Sequence, residues 1–196
     1  ALPAGTPFGL VGTSSLLKRE SFPGTVRSWN DFFDGLDAFN TDENEQSSNW
    51  VAQGADAGKY GNDDVWSIRL LAMEPNTHFS YGPHEGRHFF SHAGEHLRIL
   101  GEIPVRKADS QGRPVLDPEG NPDTSFLAKI PADTPFTFQT LDQRGLVLNM
   151  AQTWHQVRPG EMRADCGGCH AHSQRPLEFA STAAARSDYA VRDLTK

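Results

Sequence analysis

Two cysteines stand close together in this chain, Cys166 and Cys169, and a histidine, His170, follows the second directly. Cys166-Gly167-Gly168-Cys169-His170 fits the C-x-x-C-H pattern of c-type heme attachment. The spacing has a physical reason. Two thiols separated by two residues reach the two vinyl groups along one edge of a porphyrin and form thioethers. The next residue then lies beneath the ring, where its imidazole binds iron. Gly167 and Gly168 let the backbone curl against the macrocycle. The predicted cofactor is one covalent heme c, with His170 as axial ligand. A redox dithiol expects a βαβ setting, whereas this motif follows a β-hairpin. A zinc site from Cys166, Cys169, His170 and His172 would crowd four ligands into seven residues. Both remain as alternatives.

A six-coordinate heme needs a second donor. The candidates are His78, His84, His88, His92, His96, His155, His172 and Met150. His84, His88, His92 and His96 recur every four residues, which on a helix would form one stripe, able to hold a second metal or simply solvated. His155 ends a strand eleven residues before Cys166 and suits iron ligation, a propionate hydrogen bond or packing. Met150 shares the alternation of Leu146 and Leu148, so core packing is its default. Arg158, Arg163 and Arg175 flank the motif and suit pairing with heme propionates, or plain surface charge. Asp117–Asp123 has the alternating oxygens of a calcium loop, but its two prolines favour an ordinary turn.

The elements that must position these groups read as mainly β, with short helices and long loops. Phe136 and Phe138 alternate with polar residues, as do Leu146 and Leu148, around the turn Asp142-Gln143-Arg144-Gly145. Leu97–Val105 and Ser125–Ile130 read as strands, and Val65–Met73 as a strand or short helix. Glu85–Leu97 reads as a histidine-bearing helix, weakened by Gly86 and Gly94. Ser28–Phe33 opens a short helix, 40–63 a long surface loop, and Ser181–Tyr189 another short helix. The expected organisation is a loop-rich region 1–96 whose helix packs on the heme domain, a small antiparallel β-sandwich over 97–176 with the motif after its last strand, and a tail 177–196.

Composition bounds the function. The 196 residues are 37% hydrophobic, enough to bury a core, and the net charge is −7. An acidic chain argues against nucleic acid and for a basic redox partner. No apolar run is long enough for a membrane span.

Several segments together resemble a known family: Leu97–Val105, Ile130–Gln139, Thr153-Trp154-His155-Gln156-Val157-Arg158-Pro159-Gly160-Glu161, and Cys166–Ser173. They are similar to the c-type heme domain of hydrazine-synthase alpha-subunit-like proteins. The resemblance implies an exported, β-rich heme domain, covalent heme on Cys166 and Cys169, and His170 as axial ligand. It also raises His92 above its neighbours as distal ligand, with His155 second. One heme motif and no propeller repeats set this chain apart from the large synthase subunit, so hydrazine synthesis does not carry over. The expectation is a monoheme c-type cytochrome transferring electrons in the periplasm or outside the cell, alone or as a subunit of a larger complex. The alternative is a heme enzyme or small-ligand binder with an open distal site, acting on peroxide or a nitrogen oxide.

Overall fold

A computed structural model describes residues 3, 5–18, 60–74, 80–81, 87–88, 96–151, 154–167 and 175–196. In chain order the strands are β1 (Phe8–Thr13), β2 (Ser67–Glu74), β3 (Ser80–Tyr81), β4 (Arg87–His88), β5 (His96–Pro104), β6 (Phe126–Pro131), β7 (Phe136–Leu141), β8 (Val147–Met150), β9 (Met162–Arg163) and β10 (Arg192–Asp193). They form two four-stranded sheets, ordered β10-β6-β1-β9 and β5-β2-β7-β8, with β3 and β4 as a separate pair.

Alternation explains how the sheets meet. Ile68, Leu70 and Ala72 from β2, Ile103 from β5 and Phe136 from β7 share one core with Val11 from β1 and Phe126, Ala128 and Ile130 from β6. Two sheets, each with one apolar face, bury those faces against each other, which is the sandwich expected from the sequence. The second sheet is antiparallel throughout. The first is mixed: β1 and β6 are antiparallel, but the edge strands β9 and β10 run parallel to their neighbours. Both edge strands arrive after the chain has travelled round the sandwich, as parallel pairing requires. β1 and β2, from the loop-rich N-terminal region, lie inside the sheets beside strands of 97–176.

The β7–β8 hairpin turns where expected. Asp142 Oδ1 accepts from the N–H groups of Arg144 and Leu146, and Gly145 takes a φ of 81° that side chains disfavour. A bulge between Thr140 and Leu141 breaks the alternation of β8. Leu148 packs on the core, while Met150 stands opposite Gln139, whose Nε2 donates to its Sδ at 3.5 Å. Met150 therefore does not take the core position expected of it.

The helix expected over 85–97 is not formed where the structure describes the chain. Arg87–His88 pairs antiparallel with Ser80–Tyr81, and His96 begins β5. The stripe of histidines loses its basis, because His88 and His96 sit in extended backbone. The helix expected over Ser181–Tyr189 is instead two short 3-10 turns, Phe179–Ser181 and Ala183–Ala185. Ser28–Phe33 and most of the 40–63 loop lie outside the described residues. No helix among the described residues is long and apolar enough to cross a membrane.

Val157 belongs to no strand, yet it is fully buried in the shared core. Truncating it to alanine removes two methyl groups from between the sheets. Val157→Ala is expected to cost about 2 kcal/mol, read as a lower urea midpoint at unchanged slope.

Candidate functional site

The segment from His155 to Arg163 crosses from one sheet to the other. His155 exchanges both backbone hydrogen bonds with Phe136, each 2.8 Å, and so extends the β8 side of β7. Its ring stacks on Phe138 at 5.8 Å and lies tilted over Phe136 at 5.7 Å. Val157 C=O then accepts from the N–H of Asp133 at 2.9 Å. After the turn at Pro159-Gly160 the partners belong to the other sheet. Gly160 N–H donates to Phe8 C=O, Leu10 N–H donates to Glu161 C=O, and β9 pairs with Leu10 and Val11. Glu161 closes the turn, its carboxylate accepting from the N–H of Arg158 at 2.7 Å and from Arg163 Nη2 at 2.9 Å. The Arg158 N–H holds this carboxyl below the usual range; desolvation opposes it and Arg163 adds a lesser pull in the same direction as Arg158.

The crossover delivers the first thiol to the end of β1. Cys166 is half-buried and packs against the core. Gly167 is buried against Thr13, Ser14 and Ser15, the residues that end β1 and follow it.

Downstream of the motif the chain is fastened again. Asp123, 2% exposed, accepts from the N–H and hydroxyl of Ser125, from Lys107 Nζ at 3.0 Å, and from the N–H of Ala183 at 2.7 Å. Ser125 Oγ in turn accepts from the N–H of Ala184 at 3.0 Å. Burial raises the Asp123 carboxyl, but the hydrogen bonds from Ser125 and Ala183 and the ammonium of Lys107 outweigh it, and the net direction is down. Burial lowers the Lys107 ammonium against the pull of Asp123. Both groups are desolvated; the extra hydrogen bonds from Ser125 and Ala183 bring Asp123 down in spite of it, and Lys107 stays lowered. Lys107 Nζ also reaches the carbonyls of Asp123 and Ser125 at 2.8 and 2.6 Å. An ammonium thus takes the place a calcium ion would need. Asp117 is spent on its own turn, accepting from Glu119 and Asn121 N–H groups at 2.9 Å. The ordinary-turn reading of Asp117–Asp123 stands.

Between the two fastened flanks lies a cleft of about 670 Å³. Glu161, Met162, Arg163 and Asp165 line one side, with Gly167 beside them, and Leu177 and Phe179 the other. That volume falls within the ~300–1,000 Å³ of typical cofactor sites. Apolar Met162, Leu177 and Phe179 beside a cysteine suit a flat apolar macrocycle, and Arg163 offers charge for its carboxylates. Glu161, Asp165 and Glu178 make the rim acidic around Arg163, and Cys166 packs on the core one residue from the lining Gly167.

Of the candidate ligand and propionate-pairing residues singled out from the sequence, the structure places Cys166, His155, Met150, Arg158, Arg163 and Arg175, and the backbones of His88 and His96. It puts Arg163 in the cleft lining and Cys166 between the lining residues Asp165 and Gly167, sets Arg158 in the turn before β9, and holds His155 at the start of the crossover. Arg158 and Arg175 are exposed. Cys169, His170, His172, His78, His84 and His92 lie outside the described residues. Among the described residues no group of three or more His, Cys, Asp or Glu is arranged to hold a metal ion. Sequence reasoning missed Met162, Leu177 and Phe179. Only the nearness of Met162 to the motif was a signal; the other two arrive from the tail.

The sequence matches the family model described as the hydrazine synthase alpha subunit middle domain over residues 38–171. It is 29% identical over 121 residues to hydrazine synthase subunit alpha of Kuenenia stuttgartiensis, a stretch covering 59% of this chain and 14% of that protein. A solved structure of Kuenenia stuttgartiensis hydrazine synthase aligns with a TM-score of 0.45 and 15% identity, over 92% of this chain and 20% of that one. The chain thus spans a small part of the length of these relatives.

The Asp123 clamp has a measurable consequence. Asp123→Ala leaves Lys107 buried without its carboxylate and is expected to cost about 3 kcal/mol in a urea titration. Because the folded carboxyl is held below its ordinary 3.8, its stabilisation is complete above that pH and fades as pH falls below it. The wild type should lose stability on acidification more steeply than the variant.

Proposed function

Because the chain belongs to the hydrazine synthase alpha subunit middle-domain family, we propose that it is a monoheme c-type cytochrome that transfers electrons in an exported compartment. The observation that carries this reading is the Cys166-Gly167-Gly168-Cys169-His170 sequence, entering beside a cleft of cofactor size whose two flanks are fastened to the same sheet. In this reading Cys166 and Cys169 hold the porphyrin by thioethers and His170 binds the iron. Bound heme supplies a one-electron iron couple whose potential the opposite ligand and burial tune.

This chain's own residues do the rest. The crossover fixes the first thiol, and the Asp123 clamp fixes the return of the chain. Arg158, exposed on the turn that Glu161 closes, is the proposed partner of a propionate. His92 is the proposed sixth ligand. His155 is second, because its ring is already engaged with Phe138 and Phe136. The negative charge favours a basic redox partner through a small, transient interface. Its relationship to a subunit of hydrazine synthase supports a role as one part of a larger assembly. Covalent heme attachment occurs outside the bacterial cytoplasm, so the compartment proposed with this reading is the periplasm or beyond.

A pyridine-hemochrome spectrum with intact mass tests the cofactor, and ligand variants test the coordination. The expected protein is red and low-spin, with one heme that survives denaturation. His92→Ala should become high-spin and bind carbon monoxide at once when reduced, while His155→Ala stays low-spin. A colourless protein with one bound zinc would refute the cytochrome. A wild type that binds carbon monoxide immediately would instead favour an open-site heme enzyme.

A further inference from the structure

We infer that Gly167 and the end of β1 form a seat that positions the first cysteine of the motif, so that the residue after Cys166 must be glycine. The inference deepens the cytochrome reading and rests on it for its purpose, though not for its geometry. A Cβ built on Gly167 would lie 2.4 Å from Thr13 Oγ1, 2.8 Å from Ser14 Oγ and 3.0 Å from Ser15 N. The first two are closer than a carbon and an oxygen approach without a bond, and the third is tighter than ordinary van der Waals contact.

The seat has little room to give. Thr13, Ser14 and Ser15 are 2–3% exposed, and Ser15 is held by Leu17 N–H donating to its Oγ at 3.1 Å. Thr13 Oγ1 donates to Ser15 C=O at 3.3 Å, which fixes the hydroxyl nearest Gly167. Below the seat, Val11 is paired with both Arg163 and Ala128. A side chain at 167 must therefore lift the motif rather than push β1 aside. Lifting it moves Cys166 away from the core it packs on and changes the wall of the cleft. Gly167 and the three residues it touches are positioning residues. Thioether formation adds the thiol sulfur and its hydrogen across one vinyl double bond, so no oxidant or reductant is consumed, and placement of the sulfur is what the seat supplies.

The test uses Gly167→Ala alone and combined with Thr13→Ala and Ser14→Ala, which remove the two nearest hydroxyls. In a Cys169→Ser background produced without heme attachment, the alkylation rate of Cys166 by iodoacetamide reads how far the motif is lifted. Gly167→Ala should raise that rate about 10-fold, and the triple variant should return it to within about 2-fold of the parent. With both cysteines present, Gly167→Ala should lower the fraction of chains carrying covalent heme, and emptying the seat should restore it. An unchanged alkylation rate in Gly167→Ala overturns the seat. So does a raised rate that the triple variant fails to reverse, since that reports general loosening. A wild type without covalent heme would refute the cytochrome reading, while the alkylation series would still decide the seat.

Discussion

The constraint on which the rest depends is the crossover of residues 155–163 between the two sheets. At one end His155 is bonded to Phe136 of the second sheet, and at the other Met162 and Arg163 run parallel to Leu10 and Val11 of the first. Val157 is fully buried between them. One extended segment therefore closes the sandwich and brings the thiol of Cys166 to a fixed edge. Hydrophobic burial and backbone pairing, which hold the fold, also position the site. Anything that loosens the crossover acts on both.

The second fixed point is ionic. Lys107, Asp123 and Ser125 join the loop before β6 to the 3-10 turn at Ala183, and β10 then completes the first sheet. A buried pair such as this adds little stability beyond an apolar substitute, but it dictates geometry through many directed bonds. Here it determines where the chain returns after the motif. With β9 upstream and the clamp downstream, both walls of the cleft are set by contacts of the protein chain alone. That is a form of preorganisation.

Much of the fold was legible in local patterns. The β7–β8 hairpin showed in the Phe136/Phe138 alternation and in Gly145, and β5 and β6 in their apolar runs. The motif was legible because its chemistry lies in adjacent residues. What failed was non-local. Glu85–Leu97 read as a helix that would align its histidines, but Gly86 and Gly94 weaken helix, and β4 finds a partner in β3. β9 and β10 are two residues each and parallel to distant strands, so no alternation announces them. The ordinary turn at Asp117–Asp123 was legible in its prolines, but that Asp123 faces Lys107, sixteen residues away, was not. Leu177 and Phe179 reach the cleft only because the tail is fastened to β6, which no local pattern reveals.

The central claim is that the paired thiols carry a porphyrin. Trypsin should release the motif in one peptide, residues 164–186, because Arg175 precedes proline. Tandem mass spectrometry of that peptide reads the bond set directly. The account predicts the peptide mass plus one heme, with Cys166 and Cys169 both blocked to alkylation. A peptide at its plain mass, or lighter by one pair of hydrogens as a cystine, would contradict it.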